Sequence, residues 1–296
     1  MAKIRLSPAT KRRWKEGIQS RIRLTAENWD ASVKLFPVVD WLPKQFTRPV
    51  LGPLLRKLGA VDDRKSRFSQ GYVLTLNQNL DYRRSARNTV MPITMVRRVI
   101  KESSYRVVMN RCWCRDGKKC RDYPIDFGCI FLGEGTRRLV TSGIAREASV
   151  AEALQHLQRA SEMGLVAMCL WMEAEAFGLG LNEEEHRRFL EICLCCPCCC
   201  LGLQNFKSMG PEVMQRFRSV GWRAASRKGC VGCGACAAGC PVGAITVGEN
   251  SIEVSEACLG CGLCAERCAE QAIGMDQVQP IRKSILDYFF GFRPEV

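Results

Sequence analysis

Histidine is almost absent from this chain: His156 and His186 are the only two in 296 residues. Both fall on expected helices, where each reads as a packing or surface residue rather than a catalyst. Long apolar runs are lacking too. The nearest, "GLVAMCLWMEAEAFGLGL" (164–181), is interrupted by Glu173 and Glu175, short of the roughly 18 apolar residues of a membrane span. The opening "MAKIRLSPATKRRW" has no apolar leader with a small-residue cleavage site, so the expected location is the cytoplasm, membrane-peripheral at most. No three cysteines are ordered C-x3-C-x2-C, which argues against a radical-SAM enzyme. The glycine clusters "GEGTRR" and "AFGLGLN" come without a Walker lysine or a strand-to-helix setting, so neither nucleotide nor flavin binding is expected.

Cysteine, by contrast, is abundant, with 19 residues. An odd count in a chain long enough to bury its own core does not describe a disulfide scaffold; thiolate ligands in a reducing compartment fit better. Charge is uneven. The net charge is +14, and residues 1–120 hold 27 Lys/Arg against 9 Asp/Glu, whereas 121–296 hold 17 against 21. The excess of positive charge therefore belongs to the N-terminal part.

The expected fold is α+β: a basic helical N-terminal arm (1–69), a cysteine-rich α/β domain (70–207), a helical connector (208–227), a two-cluster ferredoxin-like domain (228–276) and a C-terminal tail (277–296). In the arm, Ser7-Pro8 starts a helix, and Trp14, Ile18, Ile22, Trp29, Val33 and Phe36 recur as one helical face. Four prolines between 37 and 53 then break the chain. "YVLTLNQ" (72–78) and "YRVVMN" (105–110) read as strands, with a helix from Pro92 to about Ser103 between them. Ser149 with Glu152, and Asn182 with Glu185, are capping boxes. The second is expected to head a helix running into "EICLCCPCCCLG" (191–202). Gly210-Pro211 is expected to open the connector helix "PEVMQRFRSVGW". The acidic run Glu183-Glu184-Glu185 complements a helix dipole rather than forming acid–base machinery.

The strongest signal is an internal repeat: Cys230-x2-Cys233-x2-Cys236-x3-Cys240-Pro241, then Cys258-x2-Cys261-x2-Cys264-x3-Cys268, each followed by an apolar "GAITV" or "QAIGM". It resembles the bacterial two-cluster ferredoxins. The resemblance implies that Cys230, Cys233, Cys236 and Cys268 hold one [4Fe–4S] cluster, and Cys258, Cys261, Cys264 and Cys240 the second. Ala269 stands where that family usually has proline. Zinc also uses cysteine pairs two apart, but two runs of four favour iron–sulfur clusters.

Two further groups remain. Cys112, Cys114, Cys120 and Cys129 are spaced C-x-C-x5-C-x8-C, and can converge on one centre, a [4Fe–4S] cluster ahead of zinc. Arg115, Lys118, Lys119 and Arg121 surround it with positive charge. Six cysteines fill eight positions as Cys193, Cys195, Cys196, Cys198, Cys199 and Cys200. A continued helix would put Cys193, Cys196 and Cys200 on one face and Cys195, Cys198 and Cys199 on another, although Pro197 interrupts it. These thiols are expected either to ligate a further cluster, with Cys169 as a candidate fourth ligand, or to act as redox thiols. Inert burial is the alternative. Spacing leaves open whether the two groups make one centre or two.

Taken together, "CWCRDGKKCRDYPIDFGCIFLGEG" and, after "GLV", "ICLCCPCCC" resemble a family of anaerobe iron–sulfur proteins with a C-terminal ferredoxin module, over about 70–275. Many of its members carry histidine after "GLV", where this chain has Ala167. That resemblance implies an oxygen-sensitive iron–sulfur protein without assigning a substrate. The expected function is single-electron transfer through two ferredoxin clusters and one or two more. The competing expectation is a ferredoxin-fed reductase acting on a disulfide or small molecule at Cys193–Cys200, and a third is a regulator sensing oxygen or iron through a labile cluster. The expected partner is a redox protein with an acidic docking surface. The basic arm also suits an anionic membrane surface, while nucleic acid is disfavoured because no reading motif accompanies the charge.

Overall fold

The computed structural model describes residues 16–21, 23–45, 71–74, 92–170, 173–206, 217–219 and 221–279. A seven-stranded mixed sheet organises the cysteine-rich part. Its strands are β1 (Gly71–Leu74), β2 (Arg106–Met109), β3 (Ile130–Leu132), β4 (Ala145–Glu147), β5 (Val166–Leu170), β6 (Leu190–Cys195) and β7 (Phe217–Ser219), in the spatial order β4-β2-β3-β6-β5-β1-β7. Neighbours are antiparallel except β1 and β7, which run parallel.

Period-2 alternation sends side chains to opposite faces of this sheet. One face carries Val108, Ile130, Leu132, Ala167, Cys169, Ile192 and Leu194, and helices Pro92–Glu102 and Val150–Glu162 close over it with Val96, Ile100, Leu157 and Ala160. The second helix starts where expected. Ser149 Oγ accepts the Glu152 N–H, and the Glu152 carboxylate accepts the Ser149 N–H, a reciprocal cap that contributes about 1 kcal/mol. The opposite face carries Val107, Met109, Phe131, Val166 and Met168.

Several expectations are corrected. Asn182 and Glu185 do form a capping box, but their helix, Glu183–Arg187, ends after five residues, and the chain enters β6. Leu190, Ile192 and Leu194 bury one side of that strand, a burial that only an extended chain can deliver at this spacing. Within the expected helical connector, Phe217–Ser219 pairs with β1, and Trp222–Ser226 forms β8, which pairs with β11 (Ile273–Gln277). Gly221, at φ 100°, turns the chain between them. The remaining strands, β9 (Ile245–Val247) and β10 (Ile252–Val254), make a hairpin. Of the expected strand 72–78, residues 75–78 lie outside the described residues, as do Ser7, Pro8 and Trp14.

The single helical face expected for the arm is broken. Residues 16–21 are helical, but Thr25 and Asn28 then exchange side-chain and backbone hydrogen bonds, starting a new helix, Trp29–Lys34, followed by Phe36–Gln45. This part of the arm packs on the α/β domain. The Leu24 N–H reaches Gly178 O, the Ala26 N–H reaches Ser142 O, and the buried Trp29 donates Nε1–H to Asp116 Oδ2 at 2.6 Å. Among the described residues, no helix is long and apolar enough to cross a membrane.

Candidate iron–sulfur and thiol centres

The two motifs of 230–240 and 258–268 fold alike. Each passes through a left-handed glycine, Gly234 or Gly262 (both φ 78°), into a one-turn helix, Ala235–Ala238 or Leu263–Glu266. Three residues beyond each fourth cysteine the chain again takes a positive φ, at Gly243 and Gln271, and the next N–H turns back onto sulfur: Ala244 N–H to Cys240 Sγ at 3.2 Å and Ala272 N–H to Cys268 Sγ at 3.3 Å. Such bonds favour the thiolate and tune a cluster's potential.

One cavity gathers Cys240 from the first motif with Cys258, Cys261 and Cys264 from the second, walled by Pro241, Val242, Ile245, Leu259 and Met275. Four sulfurs from two motifs around an apolar-walled space fit a [4Fe–4S] group. Burial pushes the Cys261 thiol up to about 12 and raises Cys264 as well, so it is a bound cation that would convert them to thiolates. Cys230, Cys236 and Cys268 are partly buried, and Cys233 is exposed.

In the α/β domain the expected groups are redistributed. Along β6, Glu191, Cys193 and Cys195 point to the face opposite Leu190, Ile192 and Leu194. Cys195 and Cys200 approach to 3.1 Å, Cys193 and Cys129 to 3.6 Å, and the Cys193 thiol meets Glu191 Oε1 at 2.8 Å. Cys200 also interacts with Cys114, Cys114 with Cys112, and Cys193 with Cys195. Six thiols thus form one continuous group: Cys112, Cys114, Cys129, Cys193, Cys195 and Cys200. Contact with Cys129 and Cys195, then burial, raises the Cys193 thiol. Contact with Cys114, then burial, raises Cys112.

Cys120, Cys196, Cys198 and Cys199 form a second group, with all four sulfurs within 4.8 Å of one another. The expected convergence of Cys120 with Cys112, Cys114 and Cys129 is therefore not what the fold builds: the chain turns after helix Trp113–Gly117 and carries Cys120 to the far end of β6. At Cys120, burial opposes ionisation, but hydrogen bonds from Cys199 and from the Asp122 and Tyr123 N–H groups outweigh it and lower the thiol. The expected helical partition of 193–200 is also replaced, because Cys193 and Cys195 share a face with Cys200, and Cys196 leaves by the other. Cys169 pairs with Ile192 in register and packs in the opposite apolar layer, away from Cys193.

Arg115 lies between the two groups. It is fully buried, donates Nη1–H to Pro124 O at 2.8 Å and Nη2–H to Leu194 O at 2.7 Å, and feels Cys112, Cys129 and Cys196. A buried guanidinium favours nearby negative charge, which these cysteines would supply once a bound metal ionised them. Sequence reading missed two carboxyls. Glu191 is buried and pushed up to about 8 by desolvation, and desolvation followed by the nearby Glu191 raises Glu175 well above the usual range. Reading 190–195 with period 2 would have placed Glu191 beside Cys193 and Cys195.

A repeated four-cysteine fold, a four-sulfur cavity and two thiol groups backed by a buried cation define an iron–sulfur protein of the electron-transfer class. Residues 229–272 match the family model described as the 4Fe-4S dicluster domain. The comparison with curated proteins gave no match.

Proposed function

We propose that this chain moves single electrons between its ferredoxin domain and the six-thiol group of its α/β domain, which holds a third iron–sulfur cluster. One observation carries the reading: Cys195 and Cys200 share an apolar layer with Leu259 and Leu263 of the ferredoxin domain, and Cys193 and Cys261 both pack against it. Each [4Fe–4S] cluster, when bound, takes up or releases one electron. Val166, Met168 and Leu203 complete the layer and keep water from between the two sets of ligands. Arg115 counters the negative charge of the thiolates and makes reduction easier.

The electron partner is a protein with an acidic docking surface. The excess of Lys/Arg over residues 1–120 supports this, and the burial of Trp29 against Asp116 removes one of the two tryptophans a bilayer contact would use. A reductase reading has its own support in the Glu191 carboxyl on Cys193 and the 3.1 Å Cys195–Cys200 approach. Iron and acid-labile sulfide on anaerobically purified protein separate the two. Sulfide of about 12 per chain with a third signal in the reduced EPR spectrum supports the relay. Sulfide of about 8, with alkylation of Cys193, Cys195 or Cys200 in the loaded protein, overturns it in favour of thiol chemistry.

A further inference from the structure

Among the described residues, one set of four cysteines is drawn together closely enough to share a single ion. The sulfurs of Cys120, Cys196, Cys198 and Cys199 all lie within 4.8 Å of one another, with Cys120 and Cys198 at 3.7 Å. Four sulfurs about 2.3 Å from one metal ion stand about 3.8 Å apart at the corners of a tetrahedron. A cube must fit its own irons and sulfides between its ligands. The ferredoxin domain shows the spacing this requires: among the described residues, no three of its eight cysteines come mutually within 4.8 Å.

We propose that Cys120, Cys196, Cys198 and Cys199 bind a single tetrahedral metal ion, zinc or iron, with no inorganic sulfide. Soft thiolates in a tetrahedral S4 set select these metals. The backbone is built to hold the four. Lys119 takes φ 49°, and the Cys120 N–H bonds Arg115 O at 2.8 Å, so the first ligand leaves helix Trp113–Gly117 in a fixed direction. Pro197 turns the chain directly after Cys196, and Gln204 Nε2–H braces the turn on Pro197 O at 2.6 Å. Such a site carries a net negative charge. Arg115 lies close to Cys196, and Arg267 reaches Tyr123, three residues from Cys120, with a 3.2 Å hydrogen bond. The ion would tie the loop after residue 117 to the end of β6, and its binding energy would become folding energy.

The test is total metal against acid-labile sulfide on the full chain purified anaerobically. A [4Fe–4S] cluster contains iron and sulfide in equal number, so the excess of metal over sulfide counts single ions whether or not the six-thiol group holds a cluster. The expected excess is one per chain, as zinc or as iron, with a metal-edge absorption spectrum showing four sulfurs at about 2.3 Å. Cys198 is exposed on the turn, so Cys198→Ser should fold, lose that excess and keep its sulfide and cluster EPR signals. Loss of about four iron and four sulfide together in Cys198→Ser would show a cube instead and overturn the proposal. So would a wild-type chain whose metal equals its sulfide, with Cys198 open to alkylation.

Discussion

Arg115 is buried among carbonyls, the Phe127 ring and thiols. Replacing it by methionine keeps the bulk, removes the charge and leaves Pro124 O and Leu194 O without their donor, at a cost of about 2–3 kcal/mol. Arg115→Met should therefore lower the denaturant midpoint and shift the cluster proposed for the six-thiol group to a more negative potential in an EPR-monitored titration. His156 is a second buried group with a definite consequence. Its Nε2 lies 2.8 Å from Gly128 O, and its ring stacks on Phe127 at 3.8 Å. Desolvation first, then Arg146, Arg159 and Arg115, outweigh the hydrogen bond to Gly128 and lower its pKa to about 4. The unfolded chain takes up this proton below about pH 6.5 and the folded chain does not, so stability is full above pH 6.5 and falls as pH drops towards 4, by up to about 3 kcal/mol. His156→Gln retains a donor for Gly128 O and should flatten that slope in urea titrations at pH 7 and pH 5. Two histidines on helices were legible as packing residues; the depressed pKa was not, since it depends on the arginines and the ring that the fold brings to His156.

Strand β6 shows why a local pattern can mislead. Six cysteines in eight positions have no hydrophobic period of their own, because cysteine packs as a small hydrophobe on either face. A good capping box at Asn182 argued for a helix running onward. The pairing of Ile130 with Ile192 on one side and of Met168 with Cys193 on the other outweighs that local preference. The ferredoxin loops are the opposite case, because their cysteine spacing and their glycines determine the path directly. At Gly260 the backbone has φ 68°, and an added Cβ would lie 2.6 Å from Ser219 Oγ and against Trp222 O. Gly260→Ala should cost about 3 kcal/mol or more. It should also lower the iron content of the Cys240–Cys264 cavity before that of the first motif, as read from iron per chain and EPR intensity.

At the scale of the described molecule, the ferredoxin domain and the α/β domain share two apolar layers. Trp222, Ala224, Ile245, Ile252, Ile273 and Met275 join the layer of Ile130, Leu157 and Ile192, while Leu259 and Leu263 join that of Cys195 and Cys200. Leu263→Ala would open a cavity in the second layer, with an expected loss of about 2–4 kcal/mol in chemical denaturation. Iron content should remain, and stopped-flow reduction should show slower equilibration between the ferredoxin clusters and the cluster proposed for the six-thiol group. The sequence by itself determined the redox class, the two four-cysteine motifs and the two capped helix starts, because metal ligation and capping depend on residues a few positions apart. Only the tertiary structure decided which thiols lie together. Cys120 meets Cys198 across 78 residues and Cys129 meets Cys193 across 64, distances over which sheet pairing and burial, not spacing, choose the neighbours.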